Sequence, residues 1–157
     1  MLTTTYSLES LEIGKSDVVR DLGIMIQSNL RFNTHCSRIT AKAFSLSRNI
    51  RICFQGHSVG FYINIFKTYV RPLVESNIAA FSPITLESID SIENVQKRFT
   101  KYLPGSFDLS YPERLRVLKL EPLEERRIVI DLVLLFKIVS SKVPLKPLSH
   151  LRLRFLR

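Results

Sequence analysis

Thr85-Leu-Glu-Ser-Ile-Asp-Ser-Ile-Glu-Asn-Val-Gln-Lys-Arg-Phe-Thr-Lys-Tyr-Leu103 is the stretch whose reading decides the fold. Leu86, Ile89, Ile92, Val95, Phe99 and Leu103 recur at intervals of three and four, which places them on one stripe of an α-helix. Asp90, Glu93, Lys97, Arg98 and Lys101 fall on the opposite face. Glu93 precedes Lys97 by four residues, the favourable order for a surface ion pair, and the acids gather toward the end where the helix dipole stabilises them. Thr85 is a suitable N-cap, and Pro104-Gly105 a stop. A helix of this kind has to bury its apolar stripe against other helices.

The same period extends upstream. From Asn33 or Thr34, either of which can cap, a long helix is expected to about Gln55. Cys36, Ile39, Ala43, Leu46 and Ile50 share its apolar face, while Arg38, Arg48 and Arg51 fall on other faces, with Phe44 among the last two. Gly56 ends it, and Ser58 caps a helix through Phe61, Ile65, Phe66 and Tyr69 that Pro72 should kink or restart. Before residue 30 the pattern is that of strands. Tyr6 to Ile13 alternates weakly, Gly14-Lys15 interrupts, and Val18 to Ile26 is rich in β-branched residues. An antiparallel pair of these two stretches is expected, with Gly23 a bulge or close-approach point.

Downstream, Ser110 and Pro112 start a short helix through Leu118. Glu121-Pro122 opens a last one, with Glu124 and Glu125 in its first turn and Lys137 near its end. Pro144 and Pro147 finish the packed part, and Leu151 to Arg157 alternates apolar and basic residues, as an edge strand or severed segment would. The expected class is mainly α. A β element at 1–30 precedes a bundle of about five helices at 31–141, and a tail occupies 142–157. Ile39, Leu46, Ile50, Ile65, Ile92, Val95, Phe99, Leu132 and Leu135 are expected in the core.

A chain of 157 residues with 45% hydrophobic residues and no low-complexity tract can bury a proper core. Its 23 lysines and arginines against 14 aspartates and glutamates give a net charge of +9. The excess is uneven. Arg31, Arg38, Lys42, Arg48 and Arg51 stand in a stretch to His57 with no acid at all, and a second basic region begins at Lys97. A polyanion is the natural partner of such a surface, since each neutralised phosphate releases condensed counterions. Cys36 and Cys53, set among apolar and basic residues, read as buried thiols of a reducing, intracellular setting, nucleus or cytoplasm. No signal peptide is expected, and the run from Ile128 to Val139 is too short and too charged to span a bilayer.

Asp17, Asp21, Asp90, Asp108 and Asp131 are isolated in sequence, so no carboxylate cluster for two-metal phosphoryl transfer is evident, and no glycine loop for cradling phosphates. His35, Cys36, Cys53 and His57 make a metal site only on paper. His35 and Cys36 diverge on a helix, and Gly56 separates Cys53 from His57. Neither a cofactor, a metal nor a small-molecule substrate is expected, and the chain is read as no enzyme. Phe61, Phe66, Phe99 and Phe136 read as core, His150 as surface, and Phe44 stands apart because arginines flank it on the same side.

Taken in order, several segments resemble the region just downstream of the catalytic palm in non-LTR (LINE-type, jockey-like) retrotransposon reverse transcriptases. Val19-Arg-Asp-Leu-Gly-Ile24, then Leu30-Arg-Phe and His35, is similar to that family's Asp-Leu-Gly element with its trailing Leu-x-Phe and His. Tyr69-Val-Arg-Pro-Leu73, Glu75 and Phe81-Ser-Pro83 resemble its Val-Arg-Pro-x-Leu-Glu-Tyr and Trp-x-Pro elements, with Ser76 and Phe81 replacing the tyrosine and the tryptophan. Ile92-Glu-Asn-Val-Gln-Lys-Arg-Phe-Thr100 resembles its Ile-Glu-x-Val-Gln block. Tyr111-Pro-Glu-Arg-Leu115 and Glu125-Arg-Arg127, followed by Asp131-Leu132, resemble its ending.

The resemblance covers about residues 18–140 and implies a job. The strands would be the end of a palm, and the helices a thumb that grips a template–primer duplex, while the family's catalytic carboxylates stand upstream of the matched motifs. It implies a noncatalytic fragment that binds RNA or an RNA–DNA hybrid without regard to sequence. Arg38, Lys42, Arg48 and Arg51 are the first candidates for phosphate contacts, Lys97, Arg98 and Lys101 the second, and Arg126 and Arg127 the third. A different class of reading is a helical protein–protein interaction domain whose basic faces are merely solvated. It would show an exposed apolar patch.

Overall fold

The computed structural model describes residues 6–8, 11–83, 85–140 and 142, and among them the chain is mainly helical with antiparallel strands at its N-terminal end. The tail beyond residue 142, His150 included, lies outside the described residues. Strands β1 (Tyr6–Leu8) and β2 (Leu11–Ile13) pair with each other, as do β3 (Val18–Asp21) and β4 (Ile24–Gln27). The expected pairing of 6–13 with 18–26 is therefore replaced by two separate hairpins. Leu22 and Gly23 both take positive φ, 45° and 88°, which is the two-residue turn whose twist matches that of paired strands. Gly23 is thus a turn residue and not a bulge.

Helix α1 (Asn33–Cys53) carries the hairpin. Ile24 is buried, the Met25 N–H donates to Nδ1 of His35 at 3.3 Å, and the Thr34 N–H donates to Oε1 of Gln27 at 3.4 Å. Neither Asn33 nor Thr34 caps α1. Phe32 is the N-cap and makes no side-chain cap bond, and Oδ1 of Asn33 faces the Ser88 hydroxyl, 3.4 Å away. The apolar face lies where the period puts it, with Cys36, Ala43 and Ile50 buried and Ile39 and Leu46 packed against them.

Gly56, at φ +79°, turns the chain out of α1. Ser58 accepts from the Phe61 N–H at 3.4 Å and caps α2 (Val59–Ile65), which runs through a π-helical turn at Phe66–Val70 into α3 (Arg71–Glu75). Pro72 lacks an N–H and its ring crowds the preceding turn, so the widened turn before it lets the helix go on without a break. Phe66, Val70 and Val74 are fully buried on this element, and the Phe66 and Phe99 ring centroids lie 4.7 Å apart. The short α4 (Ile78–Phe81) buries Phe81 against Phe32 and edge-on to His35, at 6.4 Å and 4.5 Å.

Helix α5 (Leu86–Lys101) is the central member. Thr85 caps it, accepting from the Ser88 N–H at 3.2 Å, and Ile92, Val95, Phe99 and Leu103 are buried, with Ile89 half-buried. Leu86, by contrast, is 80% exposed, because it lies before the crossing with α1. Helix α6 (Tyr111–Leu118) begins with a capping box between Ser110 and Glu113. Helix α7 (Leu123–Val139) buries Leu123 and Arg127 and packs Ile130 against the core. Leu132 and Leu135, expected in the core, are 59% and 56% exposed, and Phe136 is equally outside. Beyond Arg127 this helix is apolar nearly all round, and its neighbours α4 and α5 cover one side of it.

Candidate nucleic-acid interface

Crossing α1 with α5 opens a groove of about 640 Å³ at the C-terminal ends of both helices. Arg48 and Arg51 reach it from α1 and Arg98 from α5, and its wall also holds Phe44, His57, Tyr62, Phe99 and Tyr102. Among the described residues no aspartate or glutamate lines it. The Arg51 guanidinium lies 4.3 Å from the centre of the Tyr102 ring and that of Arg98 lies 5.1 Å from Phe44. Contacts of this type contribute about 0.5–1 kcal/mol when exposed. The far wall is set by the turn after α1. His57 stacks on Phe61 at 4.2 Å, Phe54 meets both rings edge-on, and the Tyr62 hydroxyl donates to the Phe54 carbonyl.

The remaining basic candidates separate by their carboxylate partners. Among the described residues Arg38, Lys42, Arg48, Arg51, Arg98 and Lys101 form no ion pair. Lys42 and Lys101 are exposed, and Nη1 of Arg38 lies 3.3 Å from the Met25 sulphur, at the hairpin end of α1. Lys97 pairs with Asp90 at 3.8 Å rather than with Glu93, and sits 5.6 Å over the Tyr111 ring. Arg126 is held by Glu75 at 2.6 Å and Glu121 at 3.2 Å, and the buried Arg127 lies 4.0 Å from Glu124. These last two charges are largely neutralised inside the molecule. The structure therefore brings Arg48, Arg51 and Arg98 together and leaves Arg38 and Lys42 outside the groove wall.

Glu93 departs most from its expected place. It is buried, accepts from the Tyr111 hydroxyl on one carboxylate oxygen, and accepts from the Glu124 N–H at 3.2 Å on the other. Gln96, fully buried beside it, donates to the Tyr111 hydroxyl at 3.1 Å and to the Glu121 carbonyl at 2.9 Å. Burial, then the hydrogen bond to Glu93, push the Tyr111 phenol far above its ordinary range. Arg114, also buried, donates to the Leu109 carbonyl at 2.6 Å and to the Lys97 carbonyl at 3.4 Å, placing a cation near the negative end of α5. The polar side chains of two separate sequence motifs thus meet backbone groups at the start of α7 in one buried network between α5, α6 and α7.

Among the described residues no group of three or more His, Cys, Asp or Glu side chains is placed to hold a metal. Cys36 is buried, and burial pushes its thiol up, whereas Cys53 is exposed and not the buried thiol expected. His35 is buried, and burial followed by the nearby Arg38 charge holds its imidazole below the usual range. No described helix is long and apolar enough to cross a membrane. Sequence reasoning missed Tyr102, His57 and Arg114. An aromatic immediately after the basic end of a helix, as in Lys101-Tyr102, was the one signal that pointed to the groove.

The chain is 24% identical over 137 residues to an uncharacterized protein of Caenorhabditis elegans, a match spanning 85% of this chain and 69% of that protein. No protein-family model matches the chain. No solved structure matches it.

Proposed function

We propose that this chain is a noncatalytic, thumb-like nucleic-acid-binding module derived from a non-LTR retrotransposon reverse transcriptase, acting inside the cell in the nucleus or cytoplasm. It holds RNA or an RNA–DNA hybrid by the phosphates, with little regard to sequence. The observation that carries the reading is the set of cations on α1 and the end of α5 that form no ion pair among the described residues, gathered in part around a groove that no described carboxylate lines. The ordered motifs support the parentage, and their polar residues are the ones that hold the helices in place. The test is a salt titration of binding to an RNA–DNA hybrid, wild type against an Arg38, Lys42, Arg48 and Arg51 quadruple alanine variant. The log–log slope should become shallower in the variant by about 0.9 for each phosphate that is no longer neutralised. Equal slopes would remove α1 from the interface.

A second reading, a helical protein–protein interaction domain, is favoured by one observation. Ile128, Leu132, Leu135, Phe136 and Val139 form a continuous exposed apolar face on α7. Under that reading, binding resists salt and is abolished when this face is made polar.

A further inference from the structure

We infer that the groove between α1 and α5 takes one unpaired nucleotide of a single-stranded nucleic acid, its base against the Phe44 and Tyr102 rings and its phosphate on Arg48, Arg51 and Arg98. This deepens the phosphate-binding reading and rests on it. The wall combines two kinds of group that one simple ligand would not use together. An apolar ligand would leave the guanidiniums without anionic partners in a groove that no described carboxylate lines. A bare phosphate would leave the rings idle. A planar aromatic body joined to an anion uses both, and a nucleotide is such a ligand. The volume of about 640 Å³ falls within the range of small-ligand pockets, and it is far too small for a duplex.

Within a duplex the bases are stacked and sealed, so only the phosphates of a double strand could touch these arginines. Single-strand sites are built differently, with a basic groove following the backbone and aromatic rings receiving bases. Arg51 and Arg98 already stand over the Tyr102 and Phe44 rings, 4.3 Å and 5.1 Å from their centres. Each forms a ring-and-cation wall on which a base can stack while the guanidinium edge faces a phosphate. Lys101, one turn beyond Arg98 and free of carboxylate partners among the described residues, stands outside the wall for the neighbouring phosphate of a continuing strand. That cation ties the nucleotide to a strand rather than to a free metabolite.

The test uses the full chain and fluorescence anisotropy with two probes, a labelled oligothymidylate of about eight nucleotides and a labelled blunt DNA duplex without a loop. The variants are Phe44→Leu with Tyr102→Leu, which keep every charge, and Tyr102→Leu alone. Tyr102 is half-exposed at the end of α5, so the single variant keeps the test valid if the double variant fails to fold by circular dichroism. Removing a stacking ring should weaken the single strand about tenfold per stacked base and leave the duplex unchanged. Adenosine monophosphate should compete only weakly with the strand. Equal weakening on both probes, no weakening on either, or displacement of the strand by adenosine monophosphate at equal nucleotide concentration overturns the inference. Single-strand binding that is steep in salt but insensitive to the rings sinks this inference and leaves the phosphate reading intact, whereas absence of all binding by the wild type at low salt sinks both.

Discussion

Arg126 on α7 grips Glu75 at the end of α3 with two nitrogens, Nε to Oε1 at 2.6 Å and Nη2 to Oε2 at 3.2 Å, across 51 residues of sequence. Both side chains are only partly exposed, and the two parallel bonds make this the best-formed ion pair among the described residues. Arg126→Ala and Glu75→Gln should each lower stability by about 1–3 kcal/mol, toward the lower end because water still reaches Arg126. Urea denaturation of the two variants and of their combination checks it. Simple additivity of the two effects would mean that the pair contributes nothing beyond each residue's own packing.

Alkaline titration should expose the buried Tyr111. Its phenol titrates higher in the folded protein than in the unfolded chain, where the value is about 10. The folded state therefore holds the proton more tightly, and its stabilising effect is complete below about pH 10 and is lost as pH rises from there toward the folded value. Stability measured in urea should fall with pH above that point, and Tyr111→Phe should flatten the fall. A slope identical in wild type and variant would contradict the buried Glu93–Tyr111 contact.

His35 should act at the opposite end of the scale. Its imidazole is depressed below the ordinary value of 6.5, and the neutral ring accepts from the Met25 N–H. Its contribution is fully present above pH 6.5 and is lost as pH falls through the depressed folded value. The protection of the Met25 amide, its exchange rate relative to that of an unfolded amide at the same pH, should fall over that acid range, and in a His35→Gln variant the pH dependence of this protection should vanish. An amide equally protected at all acid pH values would argue against this bond.

The outer face of α7 should be dispensable for folding. Leu132→Glu with Phe136→Glu changes two residues that are each 59% exposed, so the melting temperature should move little, by about 0.5 kcal/mol of stability or less. Binding of a hydrophobic dye and concentration-dependent self-association should fall sharply. A cooperative loss of fold in this variant would place the face in the core after all.

The stripe of α5 was legible because its period is strict, and the stops at Gly56 and Pro104-Gly105 follow from single residue types. Leu132 and Leu135 were misplaced for a physical reason. A helix apolar on every side carries no phase, so only the neighbours α4 and α5 decide which side is covered. Glu93 misled for the converse reason, since a mid-helix carboxylate reads as surface until partners 18 and 31 residues away satisfy it. The candidate cations were visible as composition. Their sorting was not, because Glu75 and Arg126 meet only when α3 and α7 have packed, and Arg51 meets Tyr102 only when α1 crosses α5.

The bonds at the start of α7 have a mechanical consequence. Its first turn is fastened by the Glu124 N–H on Glu93, by the Glu121 carbonyl under Gln96 and by Arg126 on Glu75. Hydrogen bonds are directional where apolar contacts are not, and one residue of axial slip would swing every side chain by roughly 100°. The helix is thereby denied the freedom to roll. Its outer leucines cannot exchange places with the inner ones, so the helix has no way of its own to take that surface out of water.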